Sequence, residues 1–304
     1  MESFLTQKIF LFLLLILPNL ISNEEILLQY PEIPEKAEGW DKGEYCSSTQ
    51  IQSPIDIPSI KNDSVLIDDG THAYFKSFSY NNISNAKLLF RHGHSWTTEV
   101  LTDPDPGYIE IYLNETLYKY KLYAFHFHLY SEHRFENKQY PMELHLVHKS
   151  VNFESDDNPN RNLVIGVLFE YKDDIENKFL NDVHLAEEKE ITNASILDLI
   201  SPNDTFYYYK GSLTTPGCNE NVNWIVFKDI KSFSFEQFDR FQNWIENTNP
   251  KYYGTGYGNA RGPKRLSGRM IYLENYKEEV KSVGTNNFSM IPRTTLLMFL
   301  IFLF

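Results

Sequence analysis

Apolar and polar residues alternate with a period of two along much of the chain. The alternation is clearest in 108–114 (YIEIYLN), 118–130 (YKYKLYAFHFHLY) and 142–148 (MELHLVH). Two shorter runs, 162–171 and 223–227, are mostly apolar and contain several β-branched residues. Turn-forming sequences such as DPDPG, ENKQYP and DDNPN separate these segments. The pattern predicts a sheet-dominated protein in which neighbouring strands are largely antiparallel.

Helical spacing of apolar residues is confined to two segments. The first, 233–247 (FSFEQFDRFQNWIEN), has Ser234 as a candidate N-cap two residues before Glu236. The second, 194–200, is short and is followed by Ser-Pro. No repeat and no Gly/Ser- or Pro-rich linker interrupts residues 39–277. We therefore expect one mainly β (α+β) domain over 39–277, built on a large, mostly antiparallel sheet with a few short helices.

Both ends of the chain carry apolar runs outside this domain. Residues 1–22 resemble a secretory signal peptide, because a lysine precedes an apolar run that is too short to span a bilayer. Residues 23–38 form a polar lead-in. Residues 278–304 contain small residues, a polar spacer and a short apolar tail, which is the order of a GPI-attachment signal. A tail anchor and a frayed hydrophobic end are the alternatives for this segment.

Two further features agree with export. The chain has only two cysteines, Cys46 and Cys218, and an even pair in an oxidising compartment favours a disulfide. Six Asn-x-Ser/Thr sequons are candidate glycosylation sites: Asn62, Asn82, Asn114, Asn193, Asn203 and Asn287. We expect a secretory-pathway glycoprotein that is lipid-anchored at the extracellular face of the plasma membrane or secreted.

The bulk composition excludes one class of partner. A net charge of −13 disfavours nucleic acid, because a phosphate backbone would be repelled. With 42% hydrophobic and 15% aromatic residues, the 304-residue chain can bury a substantial core. The charge is interpreted as an acidic, solvated surface, and the sequence assigns no oligomeric state.

Three of the nine histidines fall within residues 124–133 (AFHFHLYSEH). Residues two apart on a strand share a face, so His126 and His128 project to the same side. If ENKQYP connects a hairpin, the returning strand places His145 and Glu143 on a common face beside them. Neighbouring strands lie about 4.8 Å apart, so the three imidazoles can converge on one point.

Three histidines without a fourth protein ligand are typical of a catalytic zinc site, whose open position holds water. Imidazole also suits copper, iron and nickel, and an H-x-H pair on a strand is frequently an ordinary core or surface pair. Glu143 strengthens the metal hypothesis, because ligating histidines usually donate their other ring nitrogen to a carboxylate or carbonyl.

Taken together, several sequence blocks resemble an alpha-class carbonic anhydrase of the secreted or membrane-anchored type. They occur in that family's order over about residues 40–273 and comprise QSPIDI, RHGH, HFH, SEH, ELHLVH, GSLTTPGC and NWIV. The resemblance implies a single domain around a large twisted sheet, with one zinc ion at the floor of a conical cleft. It implies reversible hydration of carbon dioxide to bicarbonate and a proton by zinc-bound hydroxide, which makes the protein a carbonate dehydratase and a zinc lyase.

The resemblance assigns a role to each matching residue. His126, His128 and His145 correspond to the zinc ligands, and Glu143 corresponds to the carboxylate that orients His145. Thr214 resembles the threonine that accepts a hydrogen bond from zinc-bound hydroxide. A threonine whose own proton is donated to a carboxylate can only accept, and this fixes the orientation of the nucleophile.

The resemblance extends to the surroundings of the zinc. Glu132 corresponds to the buried carboxylate that takes the proton of Thr214, and His94 to the proton shuttle, since an exposed imidazole titrates near neutral pH. Val147, Val164 and Leu213 match the family's apolar pocket for the small-molecule substrate, CO₂. Cys46 and Cys218 match the family's disulfide. His133 has no metal role and is expected to be structural.

The chain departs from the family at several positions. Ala124 stands where the family usually has a glutamine that supports the first ligand, so His126 needs another support or is held less firmly. Arg91 and His92 replace an asparagine-rich rim before Gly93. The alternative function is a catalytically weak, carbonic-anhydrase-like binding module at the cell surface, and an incidental esterase activity is a third possibility.

Overall fold

The computed structural model describes residues 46–47, 50–59, 73–87, 97–98, 105–155, 157–172, 174–187, 189–215, 217–248 and 260–274, with 97–98 described for the backbone only. The predicted signal peptide, lead-in and C-terminal tail, together with His94, Asn62 and Asn287, lie outside these residues. Within the described residues, no helix is both long enough and apolar enough to cross a membrane.

The described residues contain fourteen strands and two α-helices. In chain order the strands are β1 (Asp56–Ile57), β2 (Ala73–Tyr80), β3 (Ala86–Lys87), β4 (Thr97–Thr98), β5 (Gly107–Leu113), β6 (Thr116–Leu129), β7 (Arg134–Phe135), β8 (Met142–Ser150), β9 (Asn162–Tyr171), β10 (Glu190–Ile191), β11 (Phe206–Gly211), β12 (Val222–Phe227), β13 (Lys231–Phe233) and β14 (Tyr272–Glu274). The helices are α1 (Lys178–Asp182) and α2 (Phe235–Thr248), and a 3₁₀ turn covers Ile196–Asp198.

Ten of these strands form one large sheet, in the order β14-β11-β12-β9-β8-β6-β5-β2, with β13 paired to β9 and β4 paired to β6. Neighbouring strands in this sheet are antiparallel, except that β9 pairs in parallel with β12 and β13. The prediction of a mainly β, mostly antiparallel fold with few helices is therefore confirmed. Two small sheets, β1 with β7 and β3 with β10, complete the described strands.

The two faces of the central strands pack into different clusters. Phe125, Leu144 and Ile165 belong to a large core that also contains residues of α1 and α2. Val164 and Trp224, on the opposite face, belong to a second core cluster. The catalytic candidates lie on this second face, since alternate residues of β8 and β9 point there.

A β-bulge at Tyr123 changes which residues of β6 share a face. Leu122 pairs with His148, but the next registered pair is Ala124 with Val147. The extra residue moves Ala124 to the face opposite Leu122, although the two are only two positions apart. Tyr123 itself is exposed. An alternation of faces counted from residue 118 therefore assigns the residues after Tyr123, including the histidines, to the wrong face of the sheet.

The helix predictions were partly correct. α2 begins after Ser234, whose Oγ accepts from the Gln237 backbone N–H at 3.2 Å, and the Gln237 side chain accepts from the Ser234 N–H at 3.1 Å. This reciprocal capping box uses Gln237 rather than Glu236. The predicted helix over 194–200 is only a 3₁₀ turn, and α1, capped by Asn177, was not predicted.

Cys46 and Cys218 form the predicted disulfide, with their Cα atoms 5.0 Å apart although the two residues are 172 positions apart in the chain. The Cys218 backbone is also held by hydrogen bonds, since its N–H donates to Thr215 O at 2.9 Å and its carbonyl accepts from the Gln52 side chain at 3.1 Å. The bridge therefore fixes the turn that follows Thr214.

Candidate active site

The three predicted ligands converge as the strand pattern indicates. His126 on β6 lies directly opposite His145 on β8, and His128 lies opposite Glu143. One ring nitrogen from each histidine lies within 4.8 Å of the others, and all three side chains are buried. Burial is the largest cause that lowers the pKa of His126 and of His145, so both rings are neutral and offer a lone pair.

The spacing within this cluster fits a small tetrahedral ion. His145 Nδ1 lies 3.2 Å from His126 Nε2. Two nitrogens bound tetrahedrally at zinc's usual bond length would lie about 3.3 Å apart. The residues therefore fit a zinc ion held by His126 Nε2, His128 Nε2 and His145 Nδ1. A second group of possible ligands, His133, Glu143 and His145, is already joined by internal hydrogen bonds.

Glu143 is the hub of the surrounding hydrogen bonds. Its Oε1 accepts from His145 Nε2 at 2.8 Å and from His133 Nδ1 at 2.7 Å. Its Oε2 accepts the backbone N–H groups of Glu132 and His133, each at 2.8 Å. Burial alone would raise the pKa of Glu143, but electrostatic interactions and hydrogen bonds with His133 and His145 hold it well below its ordinary value. The carboxylate requires a proton on His145 Nε2, so its Nδ1 lone pair faces the cluster.

His133 is buried and has the structural role expected for it. Its Nε2 lies 2.6 Å from the Tyr209 hydroxyl, which lies 3.0 Å from Ser53 Oγ. This chain of contacts links Glu143 to three separate parts of the sequence. Tyr209 and Ser53 were not predicted, because neither lies in a motif that suggests contact with a histidine.

Glu132 joins the loop of Thr214 to the histidines. The Thr214 hydroxyl hydrogen-bonds to the Glu132 carboxylate, and the Arg261 backbone N–H donates to Glu132 Oε1 at 2.8 Å. Glu132 Oε2 lies 3.5 Å from His128 Nε2 and 3.8 Å from His145 Nδ1. Burial raises the pKa of Glu132 well above its ordinary value, while the bonds from Thr214 and Arg261 oppose that shift. The predicted Thr214–Glu132 pair is thus present in the fold.

The apolar residues predicted beside the site also come together. Val164 is buried, and Val147 and Leu213 pack against the same cluster. Trp224 completes this wall: its ring centroid is 4.9 Å from that of His145, and its Nε1–H donates to Ser212 O at 2.9 Å. Trp224 was not singled out from the sequence, although it lies in the NWIV block.

Ala124 leaves one ligand without support. It is 5% exposed and lies two residues before His126, on the same face. Among the described residues, His126 Nδ1 is buried and has no hydrogen-bond partner. This agrees with the departure noted in the sequence.

Comparison with known proteins identifies the family. The family model for eukaryotic-type carbonic anhydrase matches residues 35–275. Alpha carbonic anhydrase 3 of Arabidopsis thaliana is 33% identical over 240 residues, which cover 75% of this chain and 76% of that protein. The carbonic anhydrase of Dunaliella salina is 30% identical over 255 residues, which cover 77% of this chain and 41% of that longer protein.

A solved structure supports the same assignment. The carbonic anhydrase Cah3 from Chlamydomonas reinhardtii, in complex with acetazolamide, superposes with a TM-score of 0.59 at 25% identity, covering 79% of this chain and 97% of that one. With the buried three-histidine cluster on a mostly antiparallel sheet, these matches show that the chain belongs to the eukaryotic-type (alpha) carbonic anhydrase family, the carbonate dehydratase family of the relatives named above.

Proposed function

We propose that this protein catalyses the zinc-dependent reversible hydration of CO₂ to bicarbonate and a proton. The observation that carries the proposal is the cluster of three buried histidines, with 3.2 Å between His145 Nδ1 and His126 Nε2. When bound, zinc would lower the pKa of the water it holds and so supply a nucleophile at neutral pH.

Thr214 and Glu132 orient the nucleophile. Glu132 as a carboxylate accepts the proton of Thr214, so the Thr214 oxygen is left to accept a hydrogen bond from the nucleophile. A nucleophile that donates its only proton to Thr214 points its lone pair away from that residue. The burial of Glu132 keeps water from competing for this hydrogen bond.

The apolar wall receives the substrate. CO₂ carries no net charge and offers weak acceptors, so it gains little from polar contacts and partitions to a dry surface. Val147, Val164 and Leu213, with Trp224 behind them, provide that surface next to His145. Bicarbonate is charged and is poorly accommodated there, which favours its release.

The test uses residues 23–284 produced as a secreted protein. We expect about one zinc per chain by elemental analysis and CO₂ hydration well above the buffer rate in a stopped-flow assay. His126→Ala should lose both zinc and activity, whereas Tyr123→Phe, at an exposed site on the same strand, should retain both. A folded protein with one zinc and no hydration above buffer would instead favour the binding-module alternative.

We further propose that the protein is exported and held at the cell surface by a C-terminal lipid. The N-terminal and C-terminal apolar segments and the Cys46–Cys218 bridge support this location. A phosphatidylinositol-specific phospholipase should release the protein from intact cells into the medium. Retention after treatment, with release of a known GPI-anchored protein in the same sample, would favour a peptide anchor.

A further inference from the structure

Two of the sequons meet in the folded protein. Asn82-Ile83-Ser84 and Asn193-Ala194-Ser195 run antiparallel, with Ile83 N–H donating to Ala194 O at 2.7 Å and Ala194 N–H donating to Ile83 O at 3.0 Å. The same register continues into β3 and β10, where Ala86 pairs with Ile191. The two sequons are therefore part of one short ladder.

The central and flanking residues of this ladder face opposite ways. Ile83 and Ala194 are 1% and 0% exposed and belong to the large core. Asn82 and Asn193 are both exposed on the other side. Asn82 Nδ2 donates to Asn193 Oδ1 at 2.7 Å. The two side-chain amides to which glycans could be attached are therefore in direct contact, although the residues are 111 positions apart in the chain.

We propose that this pair of sequons carries a single N-linked glycan per mature molecule, attached to Asn193. The inference rests on the proposed export. In the transfer, the amide nitrogen of Asn193 attacks C1 of an oligosaccharide held on a lipid pyrophosphate. The C1–O bond breaks, the lipid pyrophosphate leaves, and the amide nitrogen loses one proton as the new C–N bond forms.

The choice of Asn193 follows from the direction of the hydrogen bond. Glycosylation of Asn193 changes its Nδ2 and leaves its Oδ1 free to accept from Asn82. Glycosylation of Asn82 instead replaces one of the two hydrogens on the donating Nδ2, so the contact survives only if the sugar replaces the hydrogen that faces away from Asn193. With Asn193 modified, Asn82 Nδ2 can still donate its hydrogen bond to the oxygen of the glycosylated amide.

Exclusion of a second glycan follows from the contact between the amides. A sugar ring is wider than the separation of the two side chains, so two rings attached there compete for the same space. Moving the two sugars apart would strain the backbone ladder at Ile83 and Ala194. This ladder keeps four apolar side chains buried in the core: Ile83, Ala86, Ile191 and Ala194. Chains modified at both sites are thus impaired in folding and are depleted from the mature protein.

The experiment measures occupancy on mature protein recovered from the cell surface or medium. Enzymatic removal of N-glycans in ¹⁸O-labelled water marks each formerly glycosylated asparagine, and peptide mass spectrometry reads the mark. Intact mass, in a chain whose other four sequon asparagines are changed to Gln, counts the glycans on the pair. We expect one glycan, with the mark on Asn193 and none on Asn82.

Two matched variants remove one sequon each while keeping both asparagines. Ser84→Ala should leave the wild-type pattern unchanged, whereas Ser195→Ala should move the glycan to Asn82. Glycans on both asparagines of one molecule, or on Asn82 alone in the wild type, would overturn the proposal. So would bare Asn82 and Asn193 beside glycosylated Asn114 or Asn203, and glycan-free sequons throughout would overturn the proposed export as well.

Discussion

Gly166 on β9 leaves the space that the carboxylate of Glu143 occupies. Gly166 pairs with His145, and a β carbon on Gly166 would lie 2.9 Å from Glu143 Oε1. That oxygen is the acceptor for His145 Nε2. The geometry of the candidate zinc site thus depends on a glycine that cannot itself be a ligand.

Gly166→Ala is therefore expected to weaken zinc binding by roughly 10- to 100-fold, because it displaces the carboxylate that orients His145. Competition with a fluorescent chelator measures the zinc Kd. Gly268→Ala is the control: a β carbon there meets nothing within 4 Å, but the φ of +78° strains it. That variant should lose stability and keep its zinc affinity. An unchanged zinc Kd in Gly166→Ala would show that Glu143 tolerates the displacement.

Ala124→Gln is expected to strengthen zinc binding by roughly tenfold, because the amide oxygen can accept from the buried Nδ1 of His126. Ala124→Leu is the matched control, since it fills similar space without an acceptor. The two zinc affinities are compared by the same chelator competition. Equal affinities in the Gln and Leu variants would mean that the missing acceptor does not limit the site.

Glu132→Gln is expected to reduce kcat/KM for CO₂ hydration by about 100-fold with zinc content retained. A carboxamide can donate a hydrogen bond to Thr214, so the hydroxyl proton of Thr214 would no longer be committed and its oxygen would no longer orient the nucleophile. Stopped-flow hydration and elemental analysis check this. Glu143→Gln provides the contrast, since that carboxylate contacts His145 directly and its change should act mainly on zinc affinity. Full activity in Glu132→Gln would remove the Thr214–Glu132 pair from the orienting role.

His94→Ala is expected to lower kcat in weak buffer, because the side chain proposed to relay the proton to solvent would be lost. Added free imidazole should restore the rate. His92→Ala serves as the neighbouring control. If turnover in weak buffer equals that of the wild type, His94 is not the shuttle.

His148 should make folding stability depend on pH. Burial lowers its pKa to about 4, and its Nε2 lies 2.8 Å from the Tyr80 hydroxyl. The unfolded imidazole has a pKa of about 6.5, so as pH falls below that value the unfolded state binds the proton first. Stability contributed by neutral His148 is complete above pH ~6.5, declines toward pH ~4 and then levels off, a loss of about 3 kcal/mol.

Urea unfolding across this pH range measures the effect of His148. His148→Gln, which can still reach Tyr80, should flatten the decline relative to the wild type. His184→Gln, which removes a histidine from a half-buried surface position, should leave the decline in place. Parallel curves for the wild type and His148→Gln would assign the pH dependence to other groups.

Much of the site was predictable because its residues are close in sequence. His126 and His128 lie on β6 and His145 on its sheet neighbour β8, and alternation alone brings the first two to one face. The Thr214–Glu132 hydrogen bond joins distant segments and was inferred from family motifs, whereas the Cys46–Cys218 bridge was expected because the chain has only two cysteines. Tyr209 and Gly166 carry no local signal, and Ser53 lies in the QSPIDI block without a sign of its contact with Tyr209, because these roles depend on which side chains surround them.

The sequence by itself determined the sheet-rich fold, the histidine cluster and the capped helix α2, because strand and helix periods are local properties of the chain. Only the tertiary structure decided where the phase of β6 changes, since the bulge at Tyr123 is imposed by pairing with β8. It alone brought the sequons of Asn82 and Asn193 into one ladder and left His126 Nδ1 buried beside Ala124. Burial and long-range contact arise from packing segments together, and no single segment encodes them.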